Sequence, residues 1–154
     1  MKRFLLAAIL VAAPAFAHHG WSSFEQDRPY YLQGTVKSVR WANPHAEAVV
    51  EVAPDARLPA DLASRTLPKQ SQEVDAAALL KKVQLPPAPA GEWQVEFAPM
   101  TRMQAWGMGA SPKVGDRLEV IGYAGPTAGG LRILRAEYLF FGGRTAALRS
   151  SPSN

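Results

Sequence analysis

A chain of 154 residues with no cysteine and a formal net charge of +4 has room for one ordinary domain, which must hold together without disulfides. The basic excess is thin: once Lys2 and Arg3 are set aside, 15 basic residues face 13 acidic ones. Lysine and arginine nowhere cluster, so no nucleic-acid partner is expected.

Lys2 and Arg3 precede an unbroken apolar run from Phe4 to Ala13. That run is too short to cross a bilayer as a helix, which takes about 20 residues. Ala15-Phe16-Ala17 then places small residues at the spacing a signal peptidase requires. Residues 1–17 are therefore expected to be a signal peptide cleaved after Ala17, with His18 as the mature N-terminus and the periplasm as destination. An uncleaved anchor is the alternative reading. No second apolar stretch of spanning length follows, so no membrane span is expected in the mature chain.

Tyr31 to Trp41 (YLQGTVKSVRW) is rich in β-branched and aromatic residues, and Gly34 is a place for a strand to bend. Ala42-Asn43-Pro44-His45 is turn chemistry. Ala46 to Val52 (AEAVVEV) reads as the partner strand, with Ala48, Val50 and Val52 on one face and Glu47 and Glu51 on the other. Residues 54–91 carry six of the 13 prolines and little strand pattern. Within them, residues 73–83 suggest a short helix with Ala77, Leu80 and Val83 as its apolar stripe, ended by the prolines at 86–89. The whole stretch is expected to be a partly mobile insertion between strands.

Glu92 to Ala98 alternates cleanly, with Trp93, Val95 and Phe97 facing the core. Pro99 to Ser111 reads as a short helix or structured loop carrying three methionines and Trp106. Lys113 to Asp116 is a turn, Arg117 to Tyr123 a strand, Gly125 to Gly130 a turn and Leu131 to Phe141 a last strand. Residues 144–154 are polar and expected to be a disordered tail. The expected fold is mainly β: a small antiparallel five-stranded OB-fold-like barrel. It has a short helix between the third and fourth strands and a long insertion between the second and third. Residues 18–143 form this single domain, with Val36, Val50, Val95, Phe97, Leu118, Val120 and Ile133 in the core. An irregular antiparallel sandwich is the competing architecture.

Three segments carry a resemblance: AHHGWSSFE from Ala17, LQGTVKSVRWANPHAEAVVEV from Leu32 and KVGDRLEVIGY from Lys113. Together they resemble domain of unknown function 6152, whose members are short exported bacterial proteins with His-His after the signal and a W-x-N-P-H turn. The 54–91 insertion is longer than the family's short hairpin, and MTRMQAWGM (Met100 to Met108) is not one of its motifs. The resemblance implies fold and export, and no activity.

All three histidines, His18, His19 and His45, lie in those segments. The α-amine and imidazole of His18 can chelate one ion, and His45 can add a third nitrogen, in the manner of a histidine brace. His19 offers another mode through amine, amide and imidazole. Nitrogen-rich sites of this kind favour Cu(II), and Met100, Met103 and Met108 are soft donors for Cu(I). Against this, His45 can simply cap a turn and the methionines can fill a core. Trp21, Trp41 and Trp106 are the candidate ligand-binding aromatics. No nucleophile motif, paired carboxylates or phosphate loop is present, so no catalytic residues are expected. The leading reading is a non-enzymatic periplasmic OB-fold-like binding or accessory protein whose ligand the sequence does not name. A copper-binding protein and an interaction module whose 54–91 insertion docks on an envelope partner are the alternatives.

Overall fold

A computed structural model describes residues 20–153. The expected signal peptide at 1–17, with His18 and His19, lies outside them. Strands form close to where alternation places them: β1 (Pro29–Arg40), β2 (Glu47–Val52), β3 (Gly91–Glu96), β4 (Arg117–Ala128) and β5 (Leu131–Phe141). β1 pairs antiparallel with both β2 and β4, β2 with β3, and β4 with β5. Parallel pairing of β3 with β5 closes the ring. The expected all-antiparallel pairing therefore fails at one seam. A ring of five strands alternating in direction is odd-numbered, so one neighbouring pair must run the same way. With helix α2 (Met100–Ala105) between β3 and β4, this is the OB-fold arrangement.

β1 serves two neighbours by bending. Its first half pairs with β4 and its second with β2, and the register slips between Val36 and Ser38. Gly34 permits this close approach: a Cβ there would sit 2.9 Å from the Glu51 carbonyl oxygen. The interior is filled by the inward residues of each strand, among them Val36, Val50, Val95, Leu118, Val120 and Leu134, with Met103 and Met108 plugging it. Both methionine sulfurs thus belong to the core. The β4–β5 hairpin runs further than expected and turns only at Gly129-Gly130, where both φ angles are positive, as a type I′ turn demands.

The outer face of this sheet is also apolar. Tyr31, Ile121, Ile133 and Tyr138 form a second core with Phe24 and with Leu62, Leu67, Leu79 and Val83 of the 54–91 insertion. Ile133, expected in the barrel core, is buried here instead. Helix α1 (Ala76–Lys82) starts at Asp75, whose side chain accepts from the Ala78 amide at 2.9 Å. Its buried stripe is Leu79 with Val83 just beyond it, and Ala77 is exposed, a rotation from the expected face. The insertion is a wall rather than a loose loop.

The tail is a second correction. Arg144–Ala147 forms β6 against the end of β5, and Leu148 is buried. Beyond it, Ser150 donates its amide to Gln70 Oε1 at 2.7 Å, and Trp106 Nε1 donates to the Ser150 carbonyl at 2.9 Å. Two apolar side chains and the unmet polar groups of the insertion give residues 144–153 the partners that a polar composition conceals.

Burial pushes the phenols of the second core upward: Tyr31 strongly, Tyr123 also, and Tyr138 to about 12, with Glu119 assisting at Tyr31 and Glu137 at the other two. Unfolded tyrosines release their protons near pH 10. Between about pH 10 and 12 the unfolded state then binds fewer protons than the folded one, so stability falls as pH rises. Tyr31 and Tyr138 each contribute a slope of up to about 1.4 kcal/mol per pH unit in that window, and Tyr123 adds in the same direction. Urea midpoints between pH 9 and 12, followed with tyrosinate absorbance, should fall together. A flat midpoint would contradict this.

Candidate functional site

The insertion covers only part of the outer face. On β1 the outward residues run Tyr31, Gln33, Thr35; on β4 they run Arg117, Glu119, Ile121, in register opposite them. The apolar members lie under the insertion's leucines, and the polar members emerge where that cover ends. There the chain leaving β2 stands away from the barrel wall and leaves a cleft of about 630 Å³. Leu32, Val52, Leu58 and Leu85 supply its apolar lining, and Arg57, Arg117, Asp55 and Glu119 its charges. A second cleft of about 470 Å³ shares Gln33, Arg65, Arg117 and Glu119 with the first and reaches the β5–β6 turn.

The common wall is rigidly built. Tyr31 donates its hydroxyl to Glu119 Oε2 at 2.8 Å, and Arg65 donates to the same oxygen at 2.7 Å. Arg65 also binds Asp61 Oδ2 at 2.9 Å and lies over the Phe140 ring at 4.8 Å. The Arg65 guanidinium holds the Asp61 carboxyl below its usual range, and Asp61 in turn raises Arg65. These groups hold each other still, which suits a floor that orients a ligand.

The residues singled out by the sequence lie elsewhere. His45 is half-buried after the Asn43–Pro44 bond, which is cis, and Asn43 Oδ1 accepts from the Met100 amide at 3.1 Å. It is the one histidine among the described residues, where no group of three or more His, Cys, Asp or Glu could hold a metal ion. A metal at His45 would need its other ligands from outside those residues. Trp41 packs on Phe97 at 5.4 Å between ring centroids, and its buried indole nitrogen has no hydrogen-bond partner among the described residues. Trp21 stands edge-on to Tyr123 at 6.3 Å with Arg149 over its face at 4.2 Å. Trp106 is taken up by the tail. None of these three tryptophans lines either cleft.

Barrel closure does draw the His45 turn and the Trp21–Phe24 stretch toward one wall. Glu47, two residues after His45, pairs with Glu96, and Glu96 pairs with Arg135. Arg135 binds the Glu96 carboxylate at 2.7 Å and lies 4.4 Å from the Phe24 ring and 5.5 Å from the Trp21 ring. Two strand spacings of about 5 Å thus separate the β2 backbone from the strand on which the Trp21 segment rests.

Residues 7–58 match the model of a family of unknown function, DUF6152. The resemblance holds over the Asn-Pro-His turn, β1 and β2, and the matched span ends at Leu58, inside the wall of the first cleft. No curated protein and no solved structure matches the chain.

Proposed function

We propose that this chain, matched over residues 7–58 to a family of unknown function, is an exported, non-catalytic binding or accessory protein of the bacterial envelope whose ligand sits in the first cleft. The cleft itself carries the reading: about 630 Å³ of space between the barrel and its own insertion, on a pinned polar floor. That volume is ordinary for small-molecule sites, which run from about 300 to 1,000 Å³. Among the described residues no serine, cysteine or histidine lines it, and of its two carboxylates Glu119 is held by Tyr31 and Arg65. Export rests on the Lys2–Ala17 pattern.

Two further observations favour this reading over its competitors. On the β2–β3 face, where OB-folds commonly bind oligomers, Glu47 stands opposite Glu96 and Glu51 opposite Glu92. Arg40 and Arg135 neutralise Glu47 and Glu96, while Glu51 and Glu92, which form no ion pair among the described residues, repel a phosphate backbone. The insertion's Leu62, Leu67, Leu79 and Val83 are buried against its own barrel, which leaves little apolar surface for docking on an envelope partner.

The test uses protein isolated from the periplasm with its native N-terminus. Intact mass should correspond to a chain starting at His18, and denaturing extraction should release a small organic molecule. Gln33→Trp, which fills the cleft from an outward position on β1, should fold normally by circular dichroism and retain none of it. A protein that keeps Met1 would overturn the export reading. Absence of any retained molecule, or equal retention by Gln33→Trp, would overturn the cleft reading. Stoichiometric copper in the same sample would turn the assignment to His18, His19 and His45.

A further inference from the structure

We infer that the first cleft accepts a small amphipathic carboxylate, a monoanion with an apolar tail, held at its charged end by Arg57 and Arg117. The inference rests on the cleft being the ligand site and names what it takes. The charges lining the two clefts are unequally committed. Arg65 is fully engaged by Glu119 and Asp61, and Glu119 also accepts from Tyr31. Arg144 donates to the Gly107 carbonyl. Arg57 and Arg117, both exposed, form no ion pair among the described residues. Their one uncommitted opponent in the first cleft is Asp55, so its mouth carries a net single positive charge.

That balance selects the anion. A planar carboxylate fits the guanidinium fork and carries one charge. A phosphate dianion would exceed the available charge and face Asp55. Neutral amphiphiles would leave both guanidinium groups unanswered. The rest of the lining selects the tail. Leu58 is 41% exposed, one of two large hydrophobics so open among the described residues, and it is held in the cleft with the partly exposed Leu85. An alkyl chain laid there removes Leu58 from water, at about 25 cal/mol per Å² of apolar surface buried. Polar solutes such as sugars would gain nothing from this wall.

The probe is sodium octanoate, titrated by calorimetry and by amide chemical shifts into the full mature chain at low ionic strength. 1-Octanol and inorganic phosphate are the comparison arms. Octanoate should bind saturably with shifts at Gln33, Leu58, Arg117 and Glu119. Arg57→Gln and Arg117→Gln should each weaken it roughly tenfold. Octanol should bind at least tenfold more weakly, and phosphate should not bind in the cleft. Equal affinity for octanol and octanoate, binding of phosphate, or indifference to both arginine substitutions overturns the ligand class. If octanol matches octanoate and Gln33→Trp abolishes both, the carboxylate inference falls while the cleft remains a binding site. If no probe and no co-purified molecule responds to Gln33→Trp, the cleft reading falls with it.

Discussion

Replacing Arg149 by alanine should destabilise the protein by about 3–5 kcal/mol and lower its melting temperature by about 10 °C or more. Arg149 directly follows the buried Leu148, in a stretch whose composition suggests nothing important. Yet its guanidinium holds the Glu137 carboxylate at 2.7 Å, and Glu137 is 0% exposed. Gln70 of the insertion donates to the other oxygen of the same carboxylate at 2.9 Å. The Arg149 side chain also donates to Gln26 at 2.9 Å and covers the Trp21 ring. Removing it leaves a carboxylate inside the second core with one neutral partner, and breaking a buried pair costs far more than the pair contributes when intact. The double variant Glu137→Gln with Arg149→Met should recover most of the loss, because it removes both charges at once. Denaturant melts of the single and double variants decide the matter. A loss below 1 kcal/mol for Arg149→Ala would mean that the tail is dispensable.

Gly122→Ala should destabilise by about 3 kcal/mol or more, the upper end of what overpacking costs, while Gly129→Ala should lose far less. Gly122 lies where the β4–β5 register slips, opposite Ala136. A Cβ there would fall on the Arg135 carbonyl oxygen and lie 3.1 Å from the Ala136 Cα. These are backbone atoms of the strand that closes the barrel, so relief requires β4 and β5 to part. Gly129 has open space around it and only its positive φ to defend. Thermal unfolding of the pair separates steric exclusion from turn preference. Equal losses at both sites would refute the steric account.

The sequence legibly encodes the barrel but not its jacket. Alternation in Glu92 to Phe97 and in Ala48 to Val52 marks inward residues, because one face is fully dry and the other wet. Outer-face residues send a weaker signal. Ile121 is apolar on the side that alternation assigns to solvent and looks like an isolated exception, and Ile133 reads as a barrel-core residue although it belongs with Tyr138 to the outer core. Together they require a cover, and the prolines of 54–91 hide the leucines that provide it. The helix there was legible in existence and in the prolines that end it, but its Asp75 cap was not, and its buried face is set by the barrel beneath it rather than by its own period. The cleft was invisible for a related reason. Arg57, Arg65, Arg117 and Glu119 are far apart in sequence and of commonplace type, and only closure of the ring and return of the insertion bring them together. Trp21, Trp41 and Trp106 drew notice as aromatics, yet their rings are engaged in packing, stacking on arginines and holding the tail.

The parallel seam between β3 and β5 has a temporal consequence. Until residues 132–135 are available, the chain holds at most a four-stranded sheet, β3-β2-β1-β4, with its apolar side uncovered and its margins on β3 and β4 unpaired. β5 must then enter between them and satisfy both margins together, and the parts of the insertion and tail that pack on β5 can settle only after it. Such contacts join residues remote in sequence, which slows folding and lengthens the exposure of sticky intermediates. The barrel therefore closes late, when β5 pairs with β3 and β4 at once, however firmly it is locked afterwards.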